Sequence, residues 1–234
     1  MKDYQAENLK LLKNDIIEVC QRIGRNADEI KLVAVSKTFP AEDIITVFNA
    51  GQIDFGENKP QEMKDKYEVL QKDSGIRWHM IGHLQTNKVK YIADYVYLIH
   101  SVESEKLADE IQRQAEKRDK VLDILVQVNT SNEAQKSGVA PGETEKLCKY
   151  ISTLDNIRLR GLMTIGKFTD DKKIIKENFQ ALKKIYDELK TGFSDFKYLS
   201  MGMTSDFQIA IEEGSNLLRI GSAIFGNRVY TSNT

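Results

Sequence analysis

Two cationic side chains stand where their spacing allows chemistry. Lys37 ends the run Lys31 to Lys37, and Arg219 lies near the end of the run Leu217 to Gly221. Counting by twos along extended chain, Val33, Val35 and Lys37 share one face of the first run, and Leu217, Arg219 and Gly221 share one face of the last. If sheet closure turns both faces inward, an amine and a guanidinium occupy one poorly solvated space, which is costly unless an anion lies with them. A phosphate meets that need. The positive surroundings also favour the neutral ε-amine, the form that attacks a carbonyl to give an imine. The alternative is a pair on the rim, solvated or matched by carboxylates such as Glu57.

Two glycine-hydroxyl segments fit the phosphate reading. Ser200-Met201-Gly202-Met203-Thr204-Ser205-Asp206 leads from an apolar run into a helix, with Thr204, Ser205 or Asp206 available as its cap. Arg219-Ile220-Gly221-Ser222-Ala223-Ile224-Phe225-Gly226 offers a glycine turn, a hydroxyl and one helical turn. Singly, such glycines mostly serve tight turns. His79 and His83 share a strand face, yet no cysteine or acidic cluster is placed to complete a zinc site, so no metal is expected. His83 is expected to line the site or to make a structural hydrogen bond. Gln85-Thr86-Asn87-Lys88 reads as a capped helix start that either engages a ligand or merely caps the next helix, and Lys136 and Gly138 read as a solvated loop with glycine making the turn, with closure over the mouth as the alternative.

These residues must be carried by regular elements. An N-terminal amphipathic helix places Leu9, Leu12, Ile16, Val19 and Ile23 at three-to-four spacing and stops at Gly24. Eight short strand-like runs, most of them β-branched, follow: 31–37, 54–58, 78–83, 97–102, 123–129, 158–165, 198–201 and 217–221. Each precedes a helix-periodic segment, the pattern of parallel strands joined by crossover helices. Asp170 to Lys190 is one such helix, its Phe179, Leu182, Ile185 and Leu189 stripe facing the strands. Pro40 and Pro60 fall where helices would start. Eight βα units predict a single (β/α)8 TIM barrel, an α/β fold with an extra N-terminal helix, spanning residues 1–234 as one domain. Catalytic and binding residues of such barrels stand at the C-terminal ends of strands, where Lys37, Asn58, His83, Ser200 and Arg219 are found.

Composition narrows the partners. With 34 basic and 35 acidic residues the net charge is -1, which excludes the broad positive field of a nucleic-acid binder. The N-terminus is charged throughout and no stretch of eighteen apolar residues occurs, so neither signal peptide nor membrane span is expected. Cys20 and Cys148 read as structural thiols of a reducing compartment, and a cytoplasmic location follows.

Taken together, Val33 to Lys37, Phe55-Gly56-Glu57-Asn58 with Gln61-Glu62, Trp78 to Lys88, Gly161-Leu162-Met163-Thr164, Ser200 to Met203 and Arg219 to Gly226 resemble the pyridoxal phosphate homeostasis proteins (YggS/PROSC family). The barrel of that family is related to the N-terminal domain of bacterial alanine racemases. The segments occur in family order across nearly the whole chain.

The resemblance implies that Lys37 forms an imine with the aldehyde of pyridoxal 5'-phosphate (PLP). Arg219 would face the pyridine nitrogen, Ser200, Gly202, Gly221 and Ser222 would surround the phosphate, Asn58 would lie beside the ring, and Thr204 and His83 would complete the cofactor-binding set. Thr204 and Ser222 stand where relatives often carry serine and threonine, and either hydroxyl still donates. Lys59-Pro60 departs from the family pattern and alters the wall of the mouth. A guanidinium cannot hand the pyridine a proton, so the ring is a weak electron sink. Racemases add a tyrosine from a second, dimer-forming domain that the resemblance does not extend to. The implied function is therefore PLP binding in vitamin B6 homeostasis, by buffering the cofactor or delivering it to acceptor PLP enzymes, in a monomer without catalytic residues. Two alternatives are a PLP-dependent enzyme of amino-acid metabolism with weak racemase-like activity, and a lysine-imine aldolase acting on a phosphorylated sugar.

Overall fold

The structure, a computed structural model, describes residues 4–70, 75–131, 133 and 135–226. Helix α1 (Tyr4–Arg22) comes first, followed by eight strands: β1 (Lys31–Val35), β2 (Asp54–Glu57), β3 (Arg77–Met80), β4 (Val96–Val102), β5 (Leu122–Gln127), β6 (Ile157–Met163), β7 (Tyr198–Ser200) and β8 (Leu217–Ile220). They pair in parallel, each with the next, and β8 returns to β1 to close the barrel. The expected fold class is borne out. Crossover helices are α2 (Ala41–Asn49), α3 (Pro60–Val69), α4 (Glu105–Glu116), α5 (Thr144–Ile151), α6 (Lys172–Lys190) and α7 (Phe207–Glu212), with the single turn α8 (Ser222–Phe225) after β8.

Two apolar layers hold this arrangement. Val33, Leu98, Leu125, Met163, Tyr198 and Leu217 fill the barrel interior, while a larger cluster, including Phe179 and Leu182 of α6, packs the helices on the outer faces of the strands. Burying one such aliphatic side chain contributes about 1.5–3 kcal/mol. The N-terminal helix buries Leu9, Leu12, Ile16 and Val19 as expected, but Ile23 lies beyond its end and is exposed. Its other contacts reach the last turn of the chain: Tyr4 Oη donates to the Phe225 carbonyl at 3.1 Å and Asn8 Nδ2 to that of Ile224 at 3.1 Å. The helix thereby clamps α8 against the barrel.

Several boundaries differ from the sequence reading. Strands β1, β2 and β3 end at Val35, Glu57 and Met80, so Lys37, Asn58 and His83 stand on the loops that leave them. The twofold alternation places Val33 but does not extend to Lys37, because the chain turns after Val35 and Thr38 adopts φ 71°. After β3 only a 3-10 segment, Thr86–Tyr91, forms, preceded by Gln85 without a side-chain cap bond. Pro60 opens α3, whereas Pro40 sits one residue ahead of α2. Of the loop containing Lys136 and Gly138, Asn132 and Ala134 lie outside the described residues, as do the ends, 1–3 and 227–234, of the expected domain.

Candidate functional site

A cleft of about 800 Å³ opens at the C-terminal end of the strands. Lys37 and Arg219 both line it, together with Asn58, Thr204, Gly221 and Ser222 from the expected set. Phe39, Ile81, Ile165, Phe168 and Met203 supply apolar wall. The sequence had not marked these five, since each reads as ordinary loop or core. Phe168 alone carried a signal: a large aromatic in a charged loop, and in the structure it is 98% exposed.

Arg219 is the electrostatic centre. Its side chain is buried, and Nη1 donates to Ser200 Oγ at 2.7 Å while Nη2 donates to the Thr164 carbonyl at 2.8 Å. Among the described residues no carboxylate stands within ion-pair distance. Burial pushes the guanidinium down to about 10, opposed by the charge of Asp206. Asp206 itself is raised by burial, and its Oδ1 accepts from the Met203 amide at 2.5 Å instead of capping α7. A desolvated cation held only by neutral acceptors favours an anion in the adjoining cleft.

A pair of hydroxyls also lines the cleft. Ser222 Oγ donates to Thr204 Oγ1 at 3.0 Å, and the Ala223 amide reaches the same oxygen at 3.4 Å. Gly221 packs closely against the end of β1: a Cβ at this position would stand 3.0 Å from the Val35 carbonyl oxygen. Asn58 Oδ1 is buried without a hydrogen-bond partner, a polar atom that a ligand in the cleft can satisfy.

Three expected site residues fall elsewhere. Ser200 is fully buried beneath Arg219 and does not line the cleft, so it supports the guanidinium directly. Gly202 is also covered. At its φ of 100° a Cβ would come 2.6 Å from that of Ala210, so its role is to let the chain pass α7. His83 lines a neighbouring hollow of about 260 Å³ with Asn58, Lys59 and Gln85, and pairs with Glu103 at 3.1 Å. It shares no site with His79, which is buried inside the barrel. No group of three metal-ligating side chains is present among the described residues.

Glu57, the alternative partner for the cations, turns toward α3. Its Oε1 accepts from Ser36 Oγ and Lys66 Nζ, both at 2.7 Å, and burial pushes its carboxyl up to about 7 against the charge of Lys66. Lys136 is held at the loop by Glu133 at 2.7 Å and the Gly166 carbonyl at 3.2 Å. Cys20 and Cys148 are buried and free. No helix among the described residues is long and apolar enough to cross a membrane.

The closed parallel barrel with a lysine and a buried arginine at its mouth defines a class. Residues 8–229 match the family described as alanine racemase, N-terminal domain. Within that class the chain belongs to the pyridoxal phosphate homeostasis protein family. A member from Aquifex aeolicus is 43% identical over 96% of this chain and 99% of its own length. Among solved structures, an unknown protein from Bifidobacterium adolescentis superposes with a TM-score of 0.92 at 35% identity, covering 96% of this chain and 95% of that one. PipY of Synechococcus elongatus, solved with PLP bound, superposes with a TM-score of 0.83 at 30% identity, covering 95% of this chain and 100% of that one.

Proposed function

We propose that the chain binds PLP in the cleft, with its aldehyde condensed onto Lys37 and water released, and serves vitamin B6 homeostasis by buffering or delivering the cofactor. The observation that carries this reading is the lining of one cleft by Lys37 and the buried, carboxylate-free Arg219. The residues fit such a group: a buried cation, a pair of hydroxyls, a close-packed glycine and an unsatisfied amide oxygen on Asn58. Binding of PLP by PipY and the shared name of the relatives support it. When bound, the cofactor supplies an electrophilic aldehyde and a conjugated ring. Arg219 would stand at the ring nitrogen and, as a guanidinium, would not give it a proton, Thr204, Gly221 and Ser222 would hold the phosphate, and Asn58 would orient the ring. The protein acts without turnover, in the cytoplasm, as a monomer.

A second reading, slow turnover of amino acids, is favoured by the match to the alanine racemase N-terminal domain. One experiment addresses both. Protein mixed with PLP should develop a visible absorbance that borohydride bleaches, and peptide mapping should find the reduced adduct on Lys37 and its loss in Lys37→Ala. A label on another lysine defeats the site assignment. Robust conversion of a panel of amino acids promotes the enzyme.

A further inference from the structure

The sequence holds three histidines. Two of them, His79 of β3 and His100 of β4, are buried in the barrel. They belong to an unbroken row of polar atoms. Arg219 Nη1 meets Ser200 Oγ at 2.7 Å, and Ser200 Oγ meets His100 Nδ1 at 3.2 Å. His100 Nε2 meets His79 Nδ1 at 3.0 Å, and His79 Nε2 meets Asp54 Oδ1 at 2.9 Å. Asp54 Oδ2 then takes Arg77 Nη2 at 2.5 Å. Asp54 and Arg77 are the first residues of β2 and β3, at the floor of the barrel, whereas Arg219 lies under the mouth.

Proton bookkeeping makes the row directional. A guanidinium only donates, so Ser200 Oγ accepts from Arg219 and its own hydrogen must go to His100 Nδ1. His100, neutral, then carries its hydrogen on Nε2 and gives it to His79 Nδ1. His79 in turn donates from Nε2 to the Asp54 carboxylate. Reversing or charging either imidazole would point a second donor at Ser200 Oγ and leave its hydroxyl hydrogen buried without an acceptor, which is unfavourable. The charged and titratable groups around the row are Lys31 of β1, Asp54 of β2, Arg77 of β3, Tyr97 of β4, Tyr198 of β7, Asp206 just ahead of α7 and Arg219 of β8. Asp54 is the one carboxylate hydrogen-bonded into the row, Asp206 reaching Arg219 only through space.

We infer that Asp54, acting through His79, His100 and Ser200, is a positioning residue for Arg219. The row aligns the dipoles of three neutral groups toward a guanidinium that has no carboxylate of its own, which strengthens Ser200 as its acceptor and fixes its orientation toward the cleft. The role of Arg219 toward a cofactor ring rests on the reading proposed above, whereas the direction of the row does not.

The test begins on the cofactor-free full chain with ¹⁵N-labelled histidine, in which exposed His83 supplies a reference signal. His79 and His100 should both appear as neutral Nε2–H tautomers, unchanged between about pH 6 and 9. An Nδ1–H tautomer or a titration of either in that range overturns the inference. Asp54→Asn should shift the His100 resonances although the two residues do not touch. Unchanged resonances also defeat it. For PLP binding, His100→Gln keeps an acceptor toward Ser200 and a donor toward His79, whereas His100→Leu keeps only apolar bulk. Affinity should fall about tenfold in the leucine variant and clearly less in the glutamine variant. The opposite order denotes a packing role and refutes the relay, and Ser200→Ala, expected to match leucine, decides the matter if His100→Leu does not fold. Absence of a Lys37 adduct in the wild type strikes the cofactor reading instead, and the tautomers still judge the row.

Discussion

Val33 and Arg219 are Cα partners across the seam where β8 returns to β1. The chain leaving β1 therefore delivers Lys37 to the cleft that Arg219 underlies, and a sequence separation of 182 residues collapses into one site. Any change to the guanidinium is felt there first.

Arg219→Lys preserves charge but not the fork that reaches Ser200 and Thr164 together. One buried acceptor loses its donor, at about 1–3 kcal/mol. Urea unfolding of the cofactor-free protein should show that loss, and equilibrium dialysis a weaker hold on PLP. A variant as stable as wild type would mean that the lysine satisfies both acceptors.

Acid should act through Asp54. Burial works to raise its carboxyl, but the hydrogen bonds and charges of His79 and Arg77 prevail and hold it below its usual value. A folded value below the unfolded one contributes stability that is fully present above the ordinary carboxyl range and is lost as pH falls through the lower folded value. The stability gap between wild type and Asp54→Asn should accordingly be full at neutral pH and shrink below about pH 3.9. A gap independent of pH, measured by denaturant titration followed by circular dichroism, contradicts this account.

Lys66→Met should be among the most damaging single changes outside the cleft. It leaves Glu57, whose side chain has no exposed surface, with only Ser36 as partner; because burial already lifts that carboxyl to about 7, the loss, roughly 3–5 kcal/mol for a stranded charge, is full only well above that pH and smaller below it, where Glu57 takes up a proton. Adding Glu57→Gln should restore much of the loss. A double mutant no better than Lys66→Met shows that packing, not the stranded charge, sets the cost.

Gly202→Ala tests whether this glycine serves backbone or ligand. The left-handed φ and the contact with Ala210 predict a loss of about 1–3 kcal/mol in the cofactor-free protein. Unchanged stability with weakened PLP binding would return Gly202 to the phosphate wall.

The sequence by itself determined the barrel and most of the mouth. Eight short strand-like runs, most of them separated by periodic helices, leave few ways to bury their apolar faces, and the motifs around Lys37, Asn58, Arg219 and Gly221 mark residues that do line one cleft. Only the tertiary structure decided depth. Whether Ser200 touches a ligand or lies beneath Arg219, and whether His83 enters the cleft or a side hollow, depends on where strands end and loops turn, which alternation does not encode. The row from Asp54 to Arg219 was likewise invisible, although a histidine amid the apolar run Tyr97-Leu98-Ile99-His100 hinted at it. Its members come from five strands, and only barrel closure brings their polar atoms within bonding distance, where low dielectric requires each to find a partner.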